Sequence, residues 1–477
     1  MKARPRRRRH FSLLTWLFVF RKSFAFWLFL AFLYVMNSSF STELLSYSRK
    51  GANLEDPLLQ NLSVLWLGPF KAGSGYGQES LNLLLSIADK LPLLKAAYFG
   101  DKVYSRTLDA FSKRVLDFFE SLEPTCEELP SYYCDKSDII DINCPCNRTA
   151  KGKLFDIVVI HSVPEGWVRK MLDVGAYKVG RTVFESDSVP KSWIEPVNKF
   201  VDELWVPSQF NVQGFQSSGV KKPVIAIPQC VEFPNWNIAS LRRSIKYRYG
   251  CHKNDFIFLS VFAWNERKGL KYLLEAYGSE FSSEDDVCLL LLTRSYSGAS
   301  KLPELNQTVA NMLRKYRRLD IPSFQLVSQI SDEELPKVYA ASNSFVLATR
   351  GEGWARPIME AIFYELPVIA TNWSGHTEYF GEDTGFPVRV ERLEKYSGKE
   401  AEMKPYVGLH LAVPSISDLR LKMRQVMLDT DTVRSRVQKA KRMIMTRYNP
   451  ETIGDQILSH FIRIKKSLLS GSVQKDH

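Results

Sequence analysis

Arg350-Gly351-Glu352-Gly353-Trp354-Ala355-Arg356-Pro357-Ile358-Met359-Glu360-Ala361 is the stretch on which the fold turns. It follows the apolar run Ser344–Ala348, bends on two glycines and enters a helical pattern. Pro357 falls in the first helical turn, where a missing N–H costs nothing. A helix start directly after a strand and a glycine turn leaves backbone N–H groups free to meet an anionic phosphate. Glu352 lies before that helix and Glu360 within it, eight positions later. The first carboxylate is placed to meet a ligand's sugar, and the second to accept hydrogen bonds from another hydroxylated ring. Taken by spacing alone, a solvated acidic turn beside a helix-face glutamate fits equally well.

Working outward, apolar runs alternate with helical patterns on both sides. In the first half the strand-like runs are Ser63–Gly68, Phe155–Ile160, Glu203–Val206 and Pro223–Ile227, with a helical pattern over Glu79–Leu91. The pattern restarts with Phe256–Val261, the helical Leu270–Tyr277, Val287–Leu292, Ser344–Ala348 and Pro367–Thr371. Ser331 and Glu334 form a capping-box pair. Continuous apolar strands between helices indicate parallel sheets covered on both faces. The expected class is α/β, with two doubly wound Rossmann-like domains facing a cleft. Ligands are then expected beyond the carboxyl ends of the strands. The polar, aromatic segment 231–254 reads as the linker, giving domains at 61–235 and 236–477.

Three further stretches carry chemistry. Val261–Gly269 follows the first strand of the second half and holds Arg267 and Lys268 before a glycine. Fixed cations there would neutralise a diphosphate, most of all as it leaves with growing negative charge. Lys71-Ala-Gly73-Ser-Gly75-Tyr-Gly77 joins the first strand to its helix, and glycine lets backbone approach a ligand closely. His161 closes the strand Phe155–Ile160 at its cleft-facing end. Each also has a plain structural reading, as a solvated basic turn, a tight turn and a strand-capping histidine. Asp285-Asp286 precedes a strand and reads as a surface turn rather than as a metal-diphosphate site.

Together these segments resemble the retaining glycosyltransferases of family 4, of the two-domain GT-B fold. Glu352 and Glu360 match that family's E-x7-E pattern, and Glu365–Glu378 resembles its following strand and glycine turn. The likeness extends over roughly residues 62–465 and is weaker in the first half. It implies a sugar transferred from a UDP- or GDP-sugar with retention of configuration. Glu352, His161 and Lys268 would then act at the transferred sugar and departing diphosphate. Glu360, Arg267, Lys268, Gly73, Gly75, Gly353 and Trp354 would bind the donor. Glu185, in Phe184-Glu185-Ser186, would face the acceptor, a glycan, glycolipid or glycoprotein. No cofactor and no essential metal is implied. The family's arginine several residues before the lysine is missing here, where Phe262, Ala263 and Trp264 stand. The C-terminal segment Ile457–Leu469 would form a helix crossing back to the first domain. A catalytically silent lectin-like or scaffolding subunit is the alternative, since fold does not guarantee activity.

The amino-terminal region points to a membrane. Of the net charge of +12 over 477 residues, +8 lies before residue 23. The nearly neutral remainder does not read as a nucleic-acid binder. Apolar content of 45% and charged content of 24% suit a packed globular body. Residues 23–40 are apolar and, as a helix, would span about 27 Å, short of an average bilayer and nearer a thin one. The expected order is a cytosolic basic tail at 1–22, a signal anchor at 23–40 and a stem at 41–60, with a lumenal body. A cleaved signal peptide is disfavoured because Val35-Met36-Asn37 lacks small residues. A single-pass type II protein of the Golgi or endoplasmic reticulum membrane follows. Four of the seven cysteines, Cys126, Cys134, Cys144 and Cys146, crowd a polar insertion at 120–150. One or two disulfides of undeducible pairing, or a zinc knuckle, are open there. Sequons stand at Asn37, Asn61, Asn147, Asn306 and Asn372, of which Asn147 is the best placed.

Overall fold

The computed structural model describes residues 56–471, except 73, 100–120, 125–152, 232–236, 245–248, 295–301, 317–319, 328–329 and 332. The expected tail, anchor and most of the stem lie outside the described residues, as do Gly73, Asn147 and the four clustered cysteines. Among the described residues no helix is long and apolar enough to cross a membrane.

Two six-stranded parallel sheets form the body. The first contains β1 (Val64–Gly68), β2 (Leu94–Tyr98), β3 (Phe155–His161), β4 (Gly175–Arg181), β5 (Glu203–Val206) and β6 (Val224–Ala226), in the order β2-β1-β3-β4-β5-β6. The second contains β7 (Phe256–Ala263), β8 (Val287–Arg294), β9 (Ser323–Val327), β10 (Ser344–Leu347), β11 (Val368–Thr371) and β12 (Phe386–Val388), in the order β12-β11-β10-β7-β8-β9. The continuous apolar runs arise because both faces are covered. On β1, Val64 and Trp66 enter one buried cluster while Leu65 and Leu67 enter another. Successive side chains point to opposite faces, so a strand covered on both sides needs apolar residues throughout.

Several elements escape the sequence pattern. The run Gly175–Arg181 includes Lys178 and Arg181, which break its apolar character, yet it is the central strand β4. β2, β9 and β12 are also additional to the expected strands. The helix after β1, α1 (Gly75–Ile87), starts four residues before the expected Glu79. Ser74 caps it, its hydroxyl accepting from the Gly77 N–H at 3.0 Å. The later helices used below are α2 (Leu270–Glu280), α3 (Arg356–Phe363) and α4 (Pro450–Leu469). A separate antiparallel hairpin, β13 (Val390–Lys395) with β14 (His410–Pro414), stands outside both sheets and carries the short helical turn Ala401–Tyr406. α4 returns from the second half to pack on the first: Lys465 pairs with Asp156 and Asp455 with Lys90, both at 2.6 Å. Phe461 lies 5.5 Å from the Trp205 ring.

Cys251 and Cys288 form a disulfide that joins the approach to β7 with β8. Asp255 lies beside them, but the sulfurs are occupied by each other. Cys230 is a free buried thiol, pushed up to about 12 by its burial.

Strand order locates the sites. From β7 the chain moves outward through β8 and β9, then returns to the other side of β7 as β10. The β7 and β10 carboxyl ends therefore flank a topological switch point, where the connections diverge and leave a crevice. Arg267 and Lys268 follow β7, and Glu352 follows β10. In the first sheet the equivalent crevice lies between β1 and β3, next to the glycine turn and His161.

Candidate functional site

Asn265 sets the cation turn after β7. Its side chain accepts from the Lys268 N–H at 3.2 Å, capping the helical turn Glu266–Lys268. The turn ends on Gly269 at φ 71°, a left-handed conformation that glycine adopts without a Cβ penalty. On the opposite lip, Glu352 is fixed from both its backbone and its side chain. Its N–H donates to the Ser374 hydroxyl at 2.7 Å, and its carbonyl accepts from the Gly375 N–H at 2.8 Å. Thr349 donates its hydroxyl to Glu352 Oε1 at 2.9 Å. Ser374 sits at φ 83° and Ala355 at φ 62°. Non-glycine residues held at positive φ cost about 1–3 kcal/mol each and gather at ligand-binding turns.

The two lips meet in one ion cluster. Lys268 Nζ donates to both Glu352 oxygens, at 2.7 and 2.8 Å. Arg267 Nη1 lies 3.5 Å from Glu352 and donates to the Gly351 carbonyl at 2.6 Å. Its Nη2 lies 3.2 Å from Glu185 of the first domain. Burial works against the Glu352 charge, but Lys268 and then Arg267 outweigh it and hold the carboxyl down at about 2. His376, fully buried behind the cluster, bonds the Thr371 carbonyl at 2.7 Å, and burial lowers its basicity.

Glu360, on α3, stands apart from this cluster. It accepts from the Tyr339 hydroxyl at 2.8 Å, lies 3.9 Å from Arg356, and keeps 21% of its side chain exposed. Gly353 is where the domains touch: a Cβ there would come within 2.1 Å of Val183 Cγ2. The Trp354 side chain turns away into the core. It is 2% exposed, packs on Tyr379 and Tyr448, and gives its N–H to Met359 Sδ. The indole N–H is therefore taken up within the core.

In the first domain, His161 has no exposed surface. Its ring lies edge-on to Trp66 and Tyr76, and Nε2 is 3.7 Å from Glu79. Glu79 also takes the Arg181 guanidinium at 2.5 and 2.9 Å and the Gln229 amide at 2.7 Å. Burial raises the Glu79 carboxyl, but Arg181 and His161 pull it down to about 2. Tyr76 shields this network, bonding Thr182 at 3.1 Å and the Val183 carbonyl at 3.0 Å. His161 therefore sits beside Glu79 in the first domain's buried network. Of the glycine turn, Gly75 opens α1 with nothing within 4 Å of a Cβ added there. Of the described glycines in this turn, Gly77 is the sterically required one, since its Cβ would lie 2.1 Å from the Ala72 carbonyl oxygen.

Two contributors gave no usable sequence signal. Tyr406, from the hairpin, reaches Glu185 at 2.5 Å and lies 5.7 Å from the Arg267 guanidinium. Arg350 is fully buried, binding Glu266 at 2.6 Å, Glu394, and the Ala412 carbonyl at 3.1 Å. It ties the cation turn to the hairpin. Its position next to Gly351 was visible, but its partners lie on elements no local pattern connects.

Residues 253–398 match the protein-family model described as Glycosyl transferases group 1. Over 203 residues the chain is 22% identical to uncharacterized protein 356 of Sulfolobus islandicus rod-shaped virus 1, covering 42% of this chain and 53% of that one. It is 31% identical over 112 residues to the serotype-specific mannosyltransferase WbdA of Escherichia coli, covering 24% of this chain and 13% of that one. The chain thus spans about half the length of the viral protein and a small part of the bacterial one. The fold is shared with Anabaena HepE, solved in complex with UDP and glucose. The TM-score is 0.56 at 14% identity, covering 84% of this chain and 99% of that one. The matched domain and the shared two-domain architecture support a glycosyltransferase of the GT-B fold.

Proposed function

We propose that the chain transfers a hexose-type sugar from a UDP- or GDP-sugar, with retention of configuration, to a glycan, glycolipid or glycoprotein. The observation that carries this reading is the Lys268–Glu352–Arg267 cluster at the β7/β10 switch point, facing the first domain. Arg267 and Lys268 hold the donor diphosphate, Glu352 the transferring sugar and Glu360 the ribose. The bond from the sugar's anomeric carbon to the diphosphate oxygen breaks as the bond to the acceptor oxygen forms on the same face. The departing diphosphate takes the acceptor's proton, so no strong protein base is needed. The cations stabilise charge that grows on the leaving group, which lowers the barrier more than it tightens substrate binding. No metal ion or further cofactor enters this scheme.

Glu352 neutralises Lys268. Donor binding would hand the lysine to the diphosphate and release the carboxylate toward the sugar. Asymmetric charge before residue 23 and the Cys251–Cys288 disulfide favour a lumenal body anchored by residues 23–40 in the Golgi or endoplasmic reticulum. The test is a panel of UDP- and GDP-sugars incubated with the full-length chain and glycan acceptors, with product configuration read by NMR. One donor should yield a product of retained configuration. Inverted product, or no turnover and no donor hydrolysis across the panel, contradicts the reading.

A further inference from the structure

Arg267 is shared between two carboxylates from different domains, and a tyrosine holds one of them. Glu185 follows β4 in the first domain, and its Oε1 lies 3.2 Å from Arg267 Nη2. Its other oxygen, Oε2, accepts from the Tyr406 hydroxyl at 2.5 Å. Tyr406 is carried by the β13–β14 hairpin of the second domain, so the bond crosses the domain junction. Its ring stacks on Phe184 with centroids 5.0 Å apart and an interplanar angle of 19°. Burial, with Glu185 adding to it, keeps the hydroxyl protonated far beyond neutral pH, so Tyr406 remains a donor.

The hairpin that presents Tyr406 is anchored on both strands. Arg350 binds Glu394 on β13 and the Ala412 carbonyl on β14. Ser186 donates to the His410 carbonyl at 2.8 Å, and His410 Nδ1 lies 3.1 Å from Asp187. Tyr406 is therefore a fixed donor to Glu185, which lies between it and Arg267.

We propose that Glu185 is a positioning residue that competes with a nucleoside diphosphate for Arg267, and that Tyr406 retains Glu185 when the diphosphate takes the arginine. This rests on the donor reading above and adds to it a first-domain carboxylate that competes with the donor. The two residues then act with opposite signs. Removing the Glu185 charge takes one competitor from Arg267 Nη2. Removing the Tyr406 hydroxyl takes away the donor that would hold Glu185 once the arginine is taken, and makes the exchange costlier. A merely structural pair would weaken binding from either side.

Calorimetric titration of UDP into the full-length protein tests this, with variants first shown to keep the wild-type thermal transition. Glu185→Gln should bind UDP about tenfold tighter, the scale of one partly buried ion pair. Tyr406→Phe, which keeps the stack on Phe184, should bind about threefold weaker. The double variant should match Glu185→Gln, because Tyr406 matters only through the carboxylate. Glu185→Gln binding no tighter than wild type overturns the proposal while leaving the donor reading intact. So does a Tyr406→Phe that binds as well as or better than wild type, which decides the matter should Glu185→Gln fail to fold. Absence of UDP and GDP binding by the wild-type chain sinks the donor reading and this inference together.

Discussion

Glu352 gives both oxygens to Lys268. On the proposed reading that pair has to open before a diphosphate can take the lysine, so Glu352 would oppose donor binding while serving the transferring sugar later. Glu352→Gln should lower kcat about 100-fold, equivalent to roughly 2.7 kcal/mol, without raising the donor KM. Glu360 has no such competitor, since its partners are Tyr339 and Arg356. Glu360→Gln should raise the donor KM and leave kcat near wild type, because the ribose contact is the same before and during transfer. Steady-state kinetics on both folded variants check this; wild-type rate and affinity in both would contradict it. The spacing of Glu352 and Glu360 was legible in sequence, as was the Arg267-Lys268 turn. The course of the Trp354 side chain was not legible, because it answers to Tyr379 and Tyr448 from distant segments.

Between elements, the first domain is held by charge as well as by apolar packing. Glu79 on α1 binds Arg181 on β4, with His161 on β3 and the Gln229 amide completing the network. This explains why β4 was not legible: its arginine breaks the apolar run and is buried only because a helix supplies the counter-charge. Glu79 is held at about 2 against an ordinary 4.5. A carboxyl lowered by folding contributes stability in full above its unfolded value and loses it as pH falls toward the folded one. For Glu79 that contribution is on the order of 3 kcal/mol. The thermal transition of the full chain should fall between pH 4.5 and 2, and Glu79→Gln should show a shallower fall from a lower starting point. An equal slope in both proteins would place the acid sensitivity elsewhere. The hairpin β13–β14 was also illegible, because its exposed, charged strand Val390–Lys395 has none of the apolar pattern of a buried one.

At the scale of the whole molecule, the parallel order of each sheet does most to place the site. Two runs of alternating strands and helices were readable from periodicity, and their switch points follow from strand order. The β7/β10 switch point collects Arg267, Lys268 and Glu352, although the last is 84 residues from the lysine. The first domain closes the other side through Val183, Glu185 and the hairpin contacts. α4 ties the two halves from behind through Lys465 and Asp455. The architecture thus leaves Arg267 and Lys268 facing the opposite domain.

The claim on which the rest depends is that these cations receive a nucleoside diphosphate. Titration of UDP and GDP into the wild-type chain and into Lys268→Ala tests it directly. The wild type should bind one of them. Lys268→Ala should lose at least about 30-fold in affinity, the ~2 kcal/mol lower bound for truncating one partner of a buried charge pair. The double variant Lys268→Ala with Glu352→Gln, which leaves no unpaired carboxylate behind, should stay equally weak. An unchanged Kd in folded Lys268→Ala, or restoration of wild-type affinity in the double variant, would contradict a diphosphate at the β7/β10 switch point.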